Sequence, residues 1–238
     1  MILGILGGMG PESTLDLFGK IIKLTEVERD QEHLHIVIDN NSQIPDRTEG
    51  IMGLGEDPRI EMIRSAIKLE YMGADYIAIG CNTAHYYYED IVKYTRVKVI
   101  HMIEELAIYL KENYSHNREY LLLATEGTYF SQIYNKVFDK KGLKIIEPEV
   151  KDKKIIMDWA YSVKSSEINT NKDEFEALVY KYTKNYNLPV ILGCTELPLL
   201  VEKLNINNGV YIDPTWVLAK YCVELANNLG NKQRGGQK

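Results

Sequence analysis

The sequence predicts an α/β protein made of two pseudo-symmetric halves with mainly parallel sheets. Apolar strands alternate with amphipathic helices along the chain, a pattern typical of parallel sheets covered by helices. One motif of strand, turn and helix occurs twice, about half the chain apart. The 238 residues suffice for one large domain or two small ones, because a domain holds roughly 100–200 residues.

The first half of the chain contains four apolar runs that we interpret as strands. These predicted strands cover residues 1–6, 34–39, 76–80 and 97–100. Stretches with apolar residues at helical spacing cover residues 14–29, 58–72, a run from about 84, and 103–114. Pro58 is a typical first residue and Gly73 a typical final residue of the second of these helices. The polar residues 40–48 are predicted to form a loop.

The second half of the chain repeats this order of elements. Its predicted strands cover residues 120–124, 143–147, 188–193 and 210–212. Its predicted helices cover a run from about 130, then 173–186, 197–204 and 216–229. Polar turns with Thr125, Thr195 and Thr215 separate strands from the helices that follow, as expected for residues that cap helices.

Composition and charge exclude several classes of protein. Apolar residues make up 45% of the chain and charged residues 26%, which is unlike a disordered protein. The formal net charge of −6 gives no sign of a nucleic-acid partner. No apolar stretch approaches the roughly 18 residues of a membrane helix, and the first residues lack the basic region and cleavage site of a signal peptide. We therefore expect a cytoplasmic protein without a membrane or nucleic-acid partner.

The three cysteines are predicted to be free thiols. An odd number of cysteines in a chain of this length does not suggest a disulfide framework, and the sequence has no CxxC pair for a zinc site. Cys222 lies in an apolar helical pattern and is interpreted as a core residue. The other two, Cys81 and Cys194, have closely matched surroundings.

The matched surroundings of Cys81 and Cys194 form an internal repeat. Residues 76–83 and 188–195 each contain an apolar strand, then Gly-Cys, then a Thr within two residues, before a helix. The repeat predicts a first half of about residues 1–100 with 212–238, and a second half of about 101–211. Ligands of open α/β folds bind outside the carboxyl ends of strands, where both cysteines are placed.

Two thiols at such positions suit proton transfer. Partial positive charge at the start of a helix favours a thiolate, and a reference pKa of about 8.5 allows a thiol to act as acid or base. Thiols on both sides of one carbon could remove a proton from one face and return one to the other, which a cofactor-free racemase or epimerase requires. The alternative interpretation is a pair of buried structural cysteines.

Other residues are individually weaker candidates. The glycine-rich turn of residues 7–11 could hold an anion on backbone N–H groups, but it matches neither a dinucleotide-binding nor a P-loop motif. Arg47 follows the second strand and could bind a carboxylate through two hydrogen bonds, although a loop arginine is usually a solvated charge. Lys164 has no distinctive local motif, and Thr125 could simply cap a helix.

These motifs together resemble the aspartate/glutamate racemase superfamily, and specifically its aspartate racemase branch of cofactor-independent amino-acid racemases. The resemblance rests on four stretches in the expected order: Gly7-Gly8-Met9-Gly10-Pro11, Pro45-Asp46-Arg47-Thr48, Cys81-Asn82-Thr83-Ala84-His85 and Gly193-Cys194-Thr195-Glu196-Leu197-Pro198. Glutamate racemases typically open with Asp-Ser-Gly and carry His after the second Cys-Thr. The Gly-Gly-Met-Gly-Pro opening and Glu196 of this chain favour the aspartate branch.

The resemblance implies two α/β domains with the active site in the cleft between them, and a homodimer. It implies that Cys81 and Cys194 are the two acid/base residues, one on each face of Cα, with no pyridoxal phosphate and no metal. The resemblance also implies three groups of substrate-binding residues. Asn82, Thr83 and Thr195 would bind one substrate carboxylate, and Arg47 and Lys164 would bind the second carboxylate. Met9 and Thr125 would line the pocket.

Together with this resemblance, the sequence predicts an isomerase, an amino-acid racemase. Aspartate is the first expected substrate, and aspartate with glutamate, or a broader range, is the extension of that expectation. Two alternatives stay open. One is a related superfamily enzyme such as a maleate isomerase, an arylmalonate decarboxylase or a hydantoin racemase. The other is a non-catalytic protein that binds small dicarboxylates, which would not exchange the Cα proton.

Overall fold

The computed structural model describes residues 1–165, 167–183 and 187–235 of the chain. Its strands are β1 Ile2–Gly7, β2 His35–Asn40, β3 Tyr76–Ile79, β4 Lys98–Ile100, β5 Glu119–Leu123, β6 Lys144–Ile146, β7 Val190–Leu192 and β8 Tyr211–Ile212. Its helices are α1 Pro11–Leu24, α2 Arg47–Met52, α3 Arg59–Tyr71, α4 Tyr88–Tyr94, α5 Met102–Asn113, α6 Glu126–Ser131, α7 Ile133–Lys140, α8 Val150–Lys164, α9 Lys172–Thr183, α10 Glu196–Lys203 and α11 Pro214–Gly235.

The strands form two four-stranded sheets with the same topology, which confirms the predicted fold class. The first sheet has the order β2-β1-β3-β4 and the second the order β6-β5-β7-β8, and the strand pairs are parallel. In this arrangement β3 and β7 are equivalent strands, so the two Gly-Cys motifs that follow them occupy equivalent positions. The internal repeat of the sequence is therefore a repeat of structure.

Apolar residues pack on both faces of each sheet. Clusters of buried side chains from the strands and flanking helices fill these layers. Cys222 lies in one of them, fully buried against α1 and the first sheet, as predicted for a core residue. Helix α11 contacts both α1 and α5. The assignment of residues 212–238 to the first half stays a prediction.

Two helices were absent from the sequence prediction. Helix α2 begins at the end of the predicted loop 40–48 and continues beyond it. Asp46 accepts the Glu49 N–H at 3.0 Å, and Gly53 (φ 71°) ends the helix. Helix α8 was missed because its first half is rich in lysine. Its buried Ile156, Ala160 and Val163 nevertheless have helical spacing, which is the signal that could have predicted it.

Several predicted boundaries also need correction. The helix after Cys81 begins with a 3-10 segment, Thr83–Tyr87, before α4. The helix predicted from about 130 is two helices, α6 and α7, because Gln132 adopts a left-handed conformation (φ 56°) between them. Helix α9 ends at Thr183, and the last three residues of the predicted helix 173–186 lie outside the described residues. Among the described residues, no helix is long and apolar enough to cross a membrane.

Candidate active site

The candidate site lies where the central strands of the two sheets end. Strand order reverses between β1 and β3 in the first sheet and between β5 and β7 in the second. In open α/β sheets, the crevice at such a reversal binds ligands. Four predicted residues lie two positions after the ends of these strands: Met9, Cys81, Thr125 and Cys194. All four line the same pocket.

This pocket brings together all nine residues singled out in the sequence. Its lining consists of Met9, Asp46, Arg47, Thr48, Cys81, Asn82, Thr83, Thr125, Lys164, Cys194, Thr195 and Glu196. The space between the lining atoms, together with the opening to solvent, amounts to about 280 Å³. Both halves of the chain contribute, so the lining is complete only where the halves meet. The catalytic and binding roles of these residues stay predictions.

Cys194 is a buried thiol that interacts with a carboxylate. Its side chain is 5% exposed, and its Sγ–H donates to Glu196 Oε2 at 2.9 Å. Burial, followed by the negative charge of Glu196, raises the pKa of Cys194 well above its usual value. We expected the start of the following helix to favour a thiolate here. Burial and Glu196 outweigh that effect, and Cys194 carries its proton.

The Glu196 carboxylate accepts hydrogen bonds from residues in both halves of the chain. Besides the Cys194 thiol, it accepts the Thr195 hydroxyl at 3.1 Å and the Ser13 hydroxyl of α1 at 3.3 Å. The carboxylate itself is buried. In the sequence analysis Glu196 served only to separate two branches of a superfamily. Its position two residues after Cys194 was the signal for a role beside the thiol.

Cys81 lies in a turn that is held by a buried histidine. Met102 donates its N–H to His85 Nε2 at 3.1 Å, so Nδ1 carries the ring proton and donates to the Cys81 carbonyl at 2.9 Å. Burial, followed by the nearby His101, lowers the pKa of His85 to about 3. His85 is therefore neutral and fixes the backbone of the Cys81 turn. The Cys81 side chain is 6% exposed and is a free thiol, as predicted.

Arg47 is buried at the start of α2 and has unused hydrogen-bonding capacity. Its guanidinium donates to the backbone carbonyls of Pro45 at 2.9 Å, Ile44 at 3.2 Å and Met9 at 3.4 Å. Its Nε is buried and has no hydrogen-bond partner in the part of the chain that the structure describes. Among the described residues, no carboxylate lies within ion-pair distance of Arg47. The pocket therefore contains a cation that can accept an anionic ligand.

Lys164, the last residue of α8, brings a second cation to the pocket. Its Nζ lies 4.3 Å from the centroid of the Tyr161 ring. Desolvation at the pocket would lower the pKa of Lys164, but the negative charge of Glu196, and that of Cys194 when it is a thiolate, outweigh this effect and raise it. The side chain as a whole is exposed, so its ammonium can reach both solvent and the pocket.

Asp46 is already satisfied by neighbouring groups. Its carboxylate accepts the Glu49 N–H at 3.0 Å and the Tyr161 hydroxyl of α8 at 3.0 Å. Burial alone would raise the pKa of Asp46, but the Glu49 N–H and the charges of Arg47 and Lys164 lower it below its usual range. Asp46 therefore caps α2 and contacts the other half of the chain, a role that the sequence analysis missed.

Hydroxyl groups join the two halves beside the thiols. Thr83 Oγ1 lies 3.0 Å from both Thr125 Oγ1 and Thr128 Oγ1, and the last two lie 3.1 Å apart. The halves also approach closely at Gly127, where an added Cβ would lie 2.8 Å from the Thr48 Cα. Thr125 caps α6 and also lines the pocket, so the two roles considered for it are compatible.

The turn after β1 depends on a glycine. Gly8 has φ 91°, and a Cβ there would lie 2.3 Å from the Asn41 carbonyl carbon. We expect Gly8→Ala to lower the free energy of unfolding by roughly 2 kcal/mol or more, because both the conformation and the space exclude a side chain. Thermal unfolding of the variant measures this loss.

Gly19→Ala is the matched control for this prediction. Gly19 lies inside α1, and a Cβ added there would meet no neighbouring atom within 4 Å, so alanine should stabilise the protein by about 0.5–1 kcal/mol. A Gly8→Ala variant as stable as the unchanged protein would show that the turn can adopt another conformation.

Comparisons with known proteins agree with this architecture. The profile of the family "Asp/Glu/Hydantoin racemase" matches residues 6–222. The broad specificity amino-acid racemase RacX of Bacillus subtilis (strain 168) is 29% identical over 93% of this chain and 96% of its own length.

Two solved structures resemble the chain over nearly its full length. The aspartate racemase of Picrophilus torridus has a TM-score of 0.79 and 29% identity, covering 95% of this chain and 94% of that one. An aspartate racemase homologue from Pyrococcus horikoshii OT3 has a TM-score of 0.74 and 28% identity, covering 94% of this chain and 98% of that one. From the family match over residues 6–222, the chain belongs to the Asp/Glu/hydantoin racemase family and is an isomerase of the amino-acid racemase class.

Proposed function

We propose that this chain racemises aspartate without pyridoxal phosphate or a metal, using Cys81 and Cys194 as its two acid/base groups. The observation that carries the proposal is a single pocket lined by two buried thiols and two cations. The thiols supply proton transfer, and the cations supply recognition of an acidic substrate. Similarity to an aspartate racemase and to an aspartate racemase homologue over nearly the whole chain supports the choice of substrate.

The polar lining suits a substrate with two carboxylates. Asn82, Thr83 and Thr195 would bind the carboxylate attached to Cα through their side chains and nearby backbone N–H groups. Arg47 and Lys164 would bind the side-chain carboxylate, because both cations line the pocket and Arg47 Nε has no hydrogen-bond partner among the residues that the structure describes. A neutral amino acid has no second carboxylate, so it would not form the charge-assisted hydrogen bonds that aspartate gains from these cations.

The proposed reaction moves one proton on each face of Cα. The Cys81 thiolate takes the Cα proton and becomes a thiol, leaving the bonding electron pair on the substrate. The Cys194 thiol then donates its proton to the opposite face of Cα and becomes a thiolate. The product is the mirror-image amino acid, and the reverse reaction runs through the same steps backwards. The carbanion is stabilised by hydrogen-bond donors that are already oriented around the carboxylate.

In this scheme Glu196 controls the proton of Cys194. After each turnover from the Cys81 side, Cys81 is a thiol that must lose a proton, and Cys194 is a thiolate that must regain one, before the same direction can run again. The Glu196 carboxylate lies 2.9 Å from Sγ, and its charge raises the pKa of the thiol. After taking a proton from solvent, the Glu196 carboxyl group can thus pass it to the Cys194 thiolate and restore the acid, while Cys81 returns its proton to solvent.

We expect Glu196→Gln to lower kcat/KM for aspartate by about 100-fold, the size typical of a lost proton-transfer group. Because the negative charge of Glu196 raises the pKa of Cys194, its removal lowers that pKa. Cys194 then loses its proton at a lower pH, so the alkaline decline of activity should move to lower pH. A pH profile of kcat/KM for both enantiomers measures this shift.

Glu12→Gln is the matched control, because Glu12 is an exposed carboxylate in the first turn of α1. It should leave the rate and the pH profile unchanged. If Glu196→Gln keeps the unchanged protein's kcat/KM and pH profile, Glu196 has no part in proton transfer.

A broader range of amino acids is the second candidate, because the chain is similar over 93% of its length to a broad specificity amino-acid racemase. Chiral chromatography after incubation with L-aspartate, L-glutamate and L-alanine separates the candidates. Conversion of aspartate well above the others supports the proposal, and similar conversion of all three supports broad specificity.

If none of these three amino acids is converted to its mirror image, the proposal is contradicted. It would direct attention to maleate isomerase, arylmalonate decarboxylase or hydantoin racemase activity, or to a non-catalytic dicarboxylate-binding protein. The homodimer and the cytoplasmic location stay predictions.

A further inference from the structure

One polar side chain of the pocket is oriented by a residue from the other half of the chain. Asn82 follows Cys81 in the first half and is almost fully buried. Its Oδ1 accepts a hydrogen bond from the hydroxyl of Tyr134, the second residue of α7, at 2.5 Å. These residues lie 52 positions apart in the sequence. The contact therefore exists only because the two halves meet.

The orientation of the Asn82 carboxamide follows from what the phenol needs. Tyr134 is fully buried in the core of the second half, with its ring 5.7 Å from that of Phe138. Burial, followed by the charges of Cys194 and Asp213, raises the pKa of Tyr134 well above its usual value, so the phenol keeps its proton. A buried hydroxyl without an acceptor is costly. The oxygen of the carboxamide therefore faces Tyr134.

The opposite side of the carboxamide is then the amino group. Asn82 Nδ2 is buried and has no hydrogen-bond partner among the described residues. Asn82 also lines the pocket that contains both thiols. Buried donors in folded proteins are almost always paired, so an unpaired one in a ligand pocket indicates a partner that arrives with the ligand. An amide N–H group donates and matches a carboxylate oxygen.

We propose that Tyr134 is a positioning residue that fixes the Asn82 carboxamide with its N–H group toward the pocket, as a donor to the substrate carboxylate. This inference deepens the proposed function and rests on its assignment of Asn82 to carboxylate binding. Without the phenol hydroxyl, the carboxamide can rotate and present its oxygen, which would repel a carboxylate. Tyr134 thus contributes to recognition without touching the substrate.

The first variant is Tyr134→Phe, which removes one oxygen and keeps the ring packing. Succinate has the two carboxylates of aspartate but no amino group, so it tests binding without racemisation. We expect Tyr134→Phe to weaken succinate binding by roughly tenfold, measured by calorimetry. It should lower kcat/KM for aspartate by a similar factor. Tyr120→Phe is the matched control, since Tyr120 is fully buried in the same core cluster and, among the described residues, its hydroxyl donates only to the Asn117 carbonyl, at 3.4 Å. It should change neither quantity.

A double-mutant cycle with Asn82→Ala separates positioning from a general structural effect. If Tyr134 acts through Asn82, Tyr134→Phe has no further effect on succinate affinity in the Asn82→Ala background. If the two losses multiply, or if Tyr134→Phe binds succinate as tightly as the unchanged protein, the positioning role is wrong. Failure of the unchanged protein to bind succinate at all would also overturn it.

The same experiment keeps this inference apart from the proposed function. Coupling in succinate binding without racemisation of any amino acid supports the role of Tyr134 and contradicts racemase activity on aspartate. Racemisation by the unchanged protein without coupling between the two residues supports the proposed function and overturns the role of Tyr134. Thermal unfolding of each variant identifies any that fails to fold. A further conservative variant, Asn82→Asp, should also weaken succinate binding, because it replaces the amide donor with a negative charge.

Discussion

Cys81→Ala and Cys194→Ala should each abolish racemisation of aspartate, with kcat/KM falling by roughly 10³-fold or more. Each thiol serves one face of Cα, and no other described side chain of the pocket can replace it in the same position with similar chemistry. Both cysteines are at most 6% exposed, so alanine at either position removes a buried acid/base group from the pocket. Chiral chromatography with each enantiomer of aspartate measures the loss.

A second measurement on the same variants tests whether the two thiols act on opposite faces of Cα. A variant with one thiol can still remove and return a proton on one face, so it should exchange the Cα proton of a single enantiomer without inverting it. Cys81→Ala and Cys194→Ala should differ in which enantiomer they exchange. If both variants exchange the same enantiomer, the thiols do not act on opposite faces.

Cys222→Ala is the matched control, because Cys222 is a fully buried thiol in the core between α1 and α11 and does not line the pocket. It should keep kcat/KM and lose only stability, through the smaller side chain. Substantial racemisation by either pocket variant would show that the two-thiol assignment is wrong.

Arg47→Ala should lower kcat/KM for aspartate by about 100-fold while changing that for alanine much less. The reason is that only aspartate offers a second carboxylate to the guanidinium. Comparison of the two substrates matters because Arg47 also donates to the backbone carbonyls of Ile44, Pro45 and Met9. Any damage to this loop would slow both substrates, whereas loss of carboxylate recognition slows only one.

Arg47→Lys provides the control for charge. It keeps the cation but loses the planar pair of donors, so it should recover part of the aspartate activity. An equal loss with aspartate and alanine in Arg47→Ala would mean that Arg47 supports the loop and does not recognise the substrate side chain.

Much of the fold was predictable because its signals are local. Each strand is an apolar run, and in a parallel α/β fold the residues directly after the strands meet at one edge. Cys81 and Cys194 could therefore be placed together from their own sequence surroundings. The structure adds that both sheets have the same strand order, which makes the two positions equivalent.

The parts that could not be predicted depend on contacts far apart in the sequence. Helix α2 has six residues and forms where Asp46 is held by Tyr161, 115 positions away. Lys164 reaches the pocket because α8 ends there, and α8 itself was missed. The bond from Tyr134 to Asn82 has no local signal in either segment.

The electrostatics of Cys194 also lay outside a local prediction. The start of a helix favours a thiolate in general, but burial and the neighbouring Glu196 reverse this at Cys194. The balance between these effects depends on how deeply the thiol is buried, which the sequence does not give.

The most direct test of the central claim is proton NMR in D2O with L-aspartate and the Cys222→Ala protein, whose remaining cysteines, Cys81 and Cys194, both line the pocket. The two-thiol account predicts that the Cα–H signal disappears, that D-aspartate accumulates in the same tube, and that both changes stop after thiol alkylation. Racemisation that continues after both thiols are blocked, or no loss of the Cα–H signal from aspartate, would contradict it.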